Sequence, residues 1–191
     1  MKSYVGKKIN TAIFISGNGS NMRNLIQFSY KKHSPIIIKL VISSNKNAKG
    51  LVFASKKKIN NYFYNFVDLK VTEKKILKIM NEENIKLICL AGFMRILSSK
   101  FIKNFRGIIL NIHPSLLPKY KGLNTHKRVL ENGEKFSGCT VHLVNSKLDA
   151  GKIIMQKKIK TFKKDTALKL KKRVQKEEYK LYPRAIKKII N

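Results

Sequence analysis

Five strand-like runs alternate with helix-patterned segments up to residue 113, and this alternation constrains the fold more than any other feature. The runs are INTAIFIS (Ile9–Ser16), IIIKLVIS (Ile36–Ser43), NYFYNF (Asn61–Phe66), KLICLAGF (Lys86–Phe93) and GIILNIH (Gly107–His113). Most are continuously apolar and β-branched, the mark of strands covered on both faces. Between them lie NMRNLIQFSYKK, AKGLVFASKKK, TEKKILKIMNEEN with Thr72 or Asp68 near its cap, and the short SKFIKNF. Strands alternating with helices predict an α/β fold built on a doubly wound, mostly parallel sheet. After Pro118 the pattern changes. A helix near Thr125–Glu131 precedes two strand-like runs, Ser137–Val144 and Lys152–Lys160. From Asp165 onward the chain reads as one long basic amphipathic helix, interrupted near Pro183.

A chain of 191 residues with 43% apolar content fits a single domain, 1–191, with a substantial core. No run approaches the roughly 20 apolar residues of a membrane helix, and MKSYVGKKIN carries no apolar secretory core. Cys89 and Cys139 are too few for a disulfide framework and not spaced as metal ligands. A cytoplasmic location without a membrane partner follows as the expectation. The charge is lopsided, with 42 basic residues against 10 acidic for a net +32. Such a balance ordinarily points to nucleic acid. Yet only Arg23, Arg95, Arg106, Arg128, Arg173 and Arg184 are arginine, the residue that reads bases and phosphates bidentately. Lys, Ile and Asn are abundant together along the whole chain, as A+T-rich codons would produce. We therefore expect no nucleic-acid partner.

Two stretches carry chemistry. In LNIHPSLLPKY (Leu110–Tyr120) a proline follows His113 and favours extended backbone before it. Residues two apart on a strand face the same side, so Asn111 and His113 would share one space. Taken alone the stretch reads rather as a turn with a loop histidine. The other stretch, ISGNGSN (Ile15–Asn21), joins the first strand to the first helix. A helix N-terminus with small residues suits a phosphate. A dinucleotide fingerprint would need glycine at Met22, and a P-loop would need Gly-Lys-Ser/Thr. The loop suggests a single phosphate monoester, or else only a tight turn.

Four stretches in order, ISGNGSN, LAGFMRILS (Leu90–Ser98), LNIHPSLLPKYKG (Leu110–Gly122) and SGCTVHLVNSKLDAGKII (Ser137–Ile154), closely resemble the phosphoribosylglycinamide formyltransferase (GAR transformylase) family. The resemblance covers nearly the whole chain. It implies transfer of a formyl group from 10-formyltetrahydrofolate, as co-substrate, to the amino group of glycinamide ribonucleotide in purine synthesis. It implies Asn111, His113 and Asp149 as the catalytic set, and Gly19, Ser20 and Asn21 as the phosphate segment. Gln175, Lys176, Glu177 and Glu178 match the segment gripping the ribose and glycinamide end. Met94, Arg95, Ile96 and Leu97, with Asn111, Asn145, Ser146, Lys147, Leu148 and Asp149, match the folate-binding positions. The chemistry agrees: an Asn amide can donate to a developing oxyanion, and a protonated His can stabilise it or pass a proton. A carboxylate at Asp149 is expected to raise the His113 pKa; read locally, Asp149 is a turn residue.

The chain departs from the family where Thr72 stands in place of a folate-contacting Arg, with Lys74 as a possible substitute, and where Lys121 and Lys152 replace common prolines. No metal site is expected. His33 and His126 belong to unrelated segments without Cys or acidic partners at ligand spacing, and His142 reads either as a structural histidine or as support for the site. A monomer or a homodimer is compatible with the sequence. Rival readings are a tRNA-directed formyltransferase, a formyltetrahydrofolate deformylase, and a non-enzymatic basic nucleic-acid-binding module. The first needs a second domain, the second a different first loop, and the third leaves the Asn–His–Asp set without purpose.

Overall fold

A computed structural model describes residues 8–190. The N-terminal stretch Met1–Lys7, read above as lacking a secretory signal, lies outside the described residues, as does Asn191. Seven strands form one sheet: β1 Ile9–Ile15, β2 Ile36–Ser43, β3 Asn60–Phe63, β4 Leu87–Leu90, β5 Ile108–His113, β6 Phe136–Leu143 and β7 Ile153–Lys160. Their order is β3-β2-β1-β4-β5-β6-β7. The fold is α/β, mostly parallel, with β7 antiparallel to β6. The helices are α1 Ser20–Ser29, α2 Lys49–Lys56, α3 Leu69–Glu82, α4 Ser99–Asn104, α5 Thr125–Glu131 and α6 Ala167–Ile190. The chain divides into two compact units, the first running to Leu110 and including Ile190, the second Asn111–Ile189, so that one boundary falls inside β5.

The first unit is built on the buried runs. Ile13, Phe14, Ile15, Leu40, Ile42 and Ile88 are fully buried. Each apolar side chain of this size contributes about 1.5–3 kcal/mol when removed from water. The chain winds β1-β2-β3 in one direction and then returns to place β4 on the other side of β1. This reversal creates a switch point, where open α/β sheets bind ligands beyond the strands' carboxyl ends. At that end the loops after β1 and β4 are tied together. Ser16 N–H donates to Gly92 O at 3.0 Å, and Met94 N–H to Ser16 Oγ at 2.7 Å. Phe93 packs edge-on against Phe14 and Phe66, each at 5.4 Å between ring centres.

In the second unit β6 and β7 form a hairpin, and Thr140 of β6 staples the chain after β5 to it. The Thr140 hydroxyl donates to Ser115 O at 2.7 Å and accepts Leu117 N–H at 3.1 Å.

Several boundaries differ from the expectation. Helix α3 begins three residues before Thr72. Asp68 caps it by accepting Val71 N–H at 2.9 Å, and Thr72 instead turns its hydroxyl onto Asn65 O at 2.7 Å. Strand β4 stops at Leu90 because Gly92, at φ 75, turns the chain. The expected interruption near Pro183 does not occur: α6 runs through it to Ile190. Leu181, Tyr182, Ala185 and Ile186 around the proline are all buried, and their burial offsets the backbone bond that proline removes.

Candidate active site

Strand β5 presents Asn111 and His113 to one side, as its two-residue period requires. The β6–β7 hairpin brings the third residue. Asn145 starts its loop with an Asx turn, Oδ1 accepting Lys147 N–H at 3.0 Å. Asp149 then takes a left-handed conformation at φ 44. Gly151 lets the two arms close, since a Cβ there would lie 1.7 Å from Leu143 O. Asp149 is therefore a turn residue and also a member of the cluster.

The Asp149 carboxylate is the hub. Oδ2 accepts Gly122 N–H at 2.9 Å and lies 3.3 Å from His113 Nδ1. Oδ1 accepts from Asn111 Nδ2 at 3.4 Å. The structure also brings in His142, which sequence reasoning left undecided. Its Nδ1 faces Leu143 O at 2.8 Å and its Nε2 faces Asn111 Nδ2 at 3.1 Å. Nδ1–H therefore donates to the carbonyl, and Nε2 accepts from Asn111. The alternative, Nε2–H toward Asp149 Oδ1, spans 3.6 Å, too long for a hydrogen bond. Both Asn111 amide protons are thus engaged inside the cluster.

His113 is buried between two acceptors, Tyr120 O at 2.8 Å from Nε2 and Asp149 on the Nδ1 side. Asp149 pushes the His113 pKa up, as expected from its charge, but it does not set the net direction. Burial pushes the imidazolium down and wins over the Tyr120 carbonyl and Asp149, which both push it up; His142 and Arg128 add to the lowering. The net direction is below the ordinary histidine value. For Asp149, burial alone would raise the carboxyl. The Gly122 N–H and His113 outweigh it and hold the group below the usual carboxylate range.

The glycine loop belongs to the first unit. Gly19 is left-handed at φ 69 and directly precedes α1, with no side-chain cap on the helix. A Cβ on Gly19 would sit 2.9 Å from Met22 Cε and 3.1 Å from Gly50 Cα. Gly50 of α2 leans on the loop through its N–H to Gly17 O at 3.2 Å. Ser20 and Asn21 occupy the first turn, Asn21 buried. Backbone N–H groups at such an uncapped start suit an anion.

The remaining candidates divide. Met94, Arg95 and Ile96 are exposed on the loop after β4, while Leu97 is buried. That loop is held at its end by buried Glu73, whose carboxylate accepts from Ser98 N–H at 2.7 Å and from the Ser98 hydroxyl. Ser146, Lys147 and Leu148 are exposed on the hairpin loop, and Asn145 Nδ2 donates to Ala150 O at 3.3 Å. Gln175, Lys176, Glu177 and Glu178 do not share one face of α6: Glu178 is buried, Lys176 is exposed, and Glu177 pairs with Lys180 at 2.8 Å. Cys89 and Cys139 are both free and buried, and burial pushes the Cys139 thiol up to about 12. Among the described residues no group of three or more His, Cys, Asp or Glu side chains could hold a metal ion. No helix among them is long and apolar enough to cross a membrane.

Comparison with known proteins shows the family. Residues 9–186 match the formyl transferase family. The phosphoribosylglycinamide formyltransferase of Haemophilus influenzae is 41% identical over 184 residues, covering 95% of this chain and 86% of that protein. The human trifunctional purine biosynthetic protein adenosine-3 is 40% identical over 190 residues, covering 96% of this chain, which spans only 18% of that longer protein. A crystal structure of phosphoribosylglycinamide formyltransferase from Brucella melitensis superposes with a TM-score of 0.91 at 42% identity, covering 96% of each chain. This protein belongs to the formyl transferase family.

Proposed function

We propose that the protein transfers the formyl group of 10-formyltetrahydrofolate to the amino group of glycinamide ribonucleotide, a step of purine biosynthesis. Chain 1–191 acts as one formyltransferase domain in the cytoplasm, on small-molecule substrates, as a monomer or a homodimer. The carrying observation is the convergence of Asn111 and His113 on the Asp149 carboxylate, with His142 held against the Asn111 amide.

The reaction needs a neutral amine to attack the formyl carbon. A C–N bond forms, the carbonyl oxygen becomes negative, and the bond to the folate nitrogen then breaks. The amine loses one proton and the folate nitrogen gains one. Asn111 supplies the donor for the oxyanion, a contact usually worth 10²–10³ in rate. To do so its amide gives up the longer of its two bonds, the 3.4 Å one to Asp149. His113 stabilises the same charge as it develops, with Asp149 as its counter-charge. His142 fixes the Asn111 amide with nitrogen rather than oxygen toward Asp149. The uncapped start of α1 at Gly19–Asn21 takes the ribonucleotide phosphate. The exposed loops at 94–96 and 146–148 contact the folate, and Gln175–Glu178 the ribose end.

The test is folate release followed by absorbance, with and without glycinamide ribonucleotide. Turnover that requires the ribonucleotide is the expected result. Turnover without it would assign a deformylase, and no turnover at all would overturn the reading.

A further inference from the structure

The His113–Asp149 pair is held by one short backbone segment. Tyr120 O accepts from His113 Nε2 at 2.8 Å, and two residues on, Gly122 N–H donates to Asp149 Oδ2 at 2.9 Å. Both hold left-handed backbone, Tyr120 at φ 57 and Gly122 at φ 75. Glycine adopts this freely, but a tyrosine there is strained and needs outside support.

That support is visible. The Tyr120 hydroxyl donates to Glu134 Oε1 at 3.0 Å and accepts from Asn132 Nδ2 at 2.9 Å. Lys119 Nζ donates to the same Glu134 oxygen at 2.8 Å. Arg128 lies over the Tyr120 ring at 5.3 Å and donates to Lys121 O at 2.7 Å and Leu123 O at 3.3 Å. Ser115 Oγ ties Lys119 O at 2.7 Å. Tyr120 also lines a cavity of about 230 Å³ with Leu116, Val129 and Phe136.

We propose that Tyr120 is a positioning residue for formyl transfer: Glu134, Asn132 and Arg128 hold its strained backbone so that the 120–122 segment fixes His113 and Asp149 in register. The assignment rests on the formyl-transfer reading. Residues outside the cluster thereby set which nitrogen of His113 carries its proton and how near Asp149 stands. A carbonyl on Nε2 directs the first proton there and leaves Nδ1, facing Asp149, to gain or lose the second. The charged or titratable groups facing His113 are Asp149, His142, His126 and Arg128, together with the Tyr120 carbonyl.

The experiment uses Tyr120→Phe, Glu134→Ala and Glu134→Gln in the full chain. Tyr120→Phe deletes one oxygen and keeps the ring. Glu134→Ala removes the acceptor, while Glu134→Gln keeps an oxygen for the tyrosine hydroxyl. We expect kcat to fall about five- to thirtyfold in Tyr120→Phe and Glu134→Ala, roughly one anchoring hydrogen bond. KM for both substrates should stay within about twofold, and Glu134→Gln should recover most of the loss. The discriminating readout is an NMR titration of His113. Its tautomer balance and pKa should move in the two damaging variants and return in Glu134→Gln. A loss of kcat with an unmoved His113 titration, or no loss of kcat, would overturn the assignment. Should Glu134→Ala fail to fold, Tyr120→Phe carries the same test alone. Inactive wild-type protein would instead defeat the formyl-transfer reading itself.

Discussion

Replacing Asp149 by Asn tests the electrostatic core of the site. The carboxylate lies 3.3 Å from His113 Nδ1, with side chains only 7% and 8% exposed. At an effective dielectric of about 20, opposite unit charges at that distance attract by about 5 kcal/mol, which sets an upper bound. Each 1.4 kcal/mol of it that is lost lowers the His113 pKa by about one unit. We expect a fall of one to three units from a value already below the ordinary one. The rate consequence follows from two opposing protonations. Attack needs a free amine, with a pKa near 8, and an imidazolium, with a pKa under about 6.5. Between these two values one fraction rises as the other falls, so kcat/KM for the ribonucleotide is flat. The plateau height scales inversely with the His113 acid dissociation constant. Asp149→Asn should therefore lower the plateau about ten- to a thousandfold, move the acid limb further toward acid, and leave the basic limb near 8. The assay is kcat/KM from about pH 5 to 9, with an NMR titration of His113 in both proteins. A His113 pKa that stays or rises in the variant refutes the reasoning.

Three further outcomes are expected. His113→Ala and Asn111→Ala should each cost about two to four decades in kcat, with the double variant far short of the sum because both act through Asp149; steady-state kinetics showing near-wild-type turnover in either would remove it from the site. Gly19→Val places a side chain against Met22 and Gly50 in left-handed backbone, and should raise the ribonucleotide KM at least tenfold while leaving the folate KM within about twofold; equal weakening of both would unseat the phosphate assignment. His126 is pushed down from 6.5 to about 4 by burial, Lys171 and His113, so the unfolded chain takes up its proton first; stability should be full above pH 6.5 and fall by up to about 3 kcal/mol as pH drops to 4. Urea unfolding of His126→Gln should show that part of the slope flattened, and identical slopes would exclude His126 as its source.

Strand existence was legible because β4 and the ends of β1 and β2, Ala12–Ile15 and Leu40–Ile42, are buried on both faces and read as apolar runs. Element ends depended on contacts that sequence periodicity does not carry. Helix α3 starts where Asp68 caps it, and Thr72, one turn in, spends its hydroxyl on Asn65 O instead. Helix α6 passes Pro183 because the burial of Tyr182 and Ile186 outweighs one lost backbone bond. In the site, Asn111 and His113 were legible because their proximity is local, two residues apart on one strand. His142 was ambiguous because its partner, Asn111, is 31 residues away. The contributions of Tyr120 and Gly122 come from a carbonyl and an amide, which every residue offers and no side-chain pattern announces.

The net direction of the His113 pKa is hidden from the sequence for a related reason. Pairing with Asp149 has the sign expected from two named residues, but the opposing burial is summed over everything around the ring. This burial changes how the residue can serve catalysis. A ring held between Tyr120 O and Asp149 has geometric places for two protons, while its surroundings resist the second charge. On the formyl-transfer reading, the missing stabilisation arrives when the carbonyl oxygen becomes negative. An interaction that strengthens only as charge develops lowers the barrier without tightening the ground state. A fully charged His113 in the resting enzyme would spend part of that interaction before the reaction began. The low resting pKa is therefore consistent with a histidine that works in the transition state, with Asp149 keeping the charged form within reach.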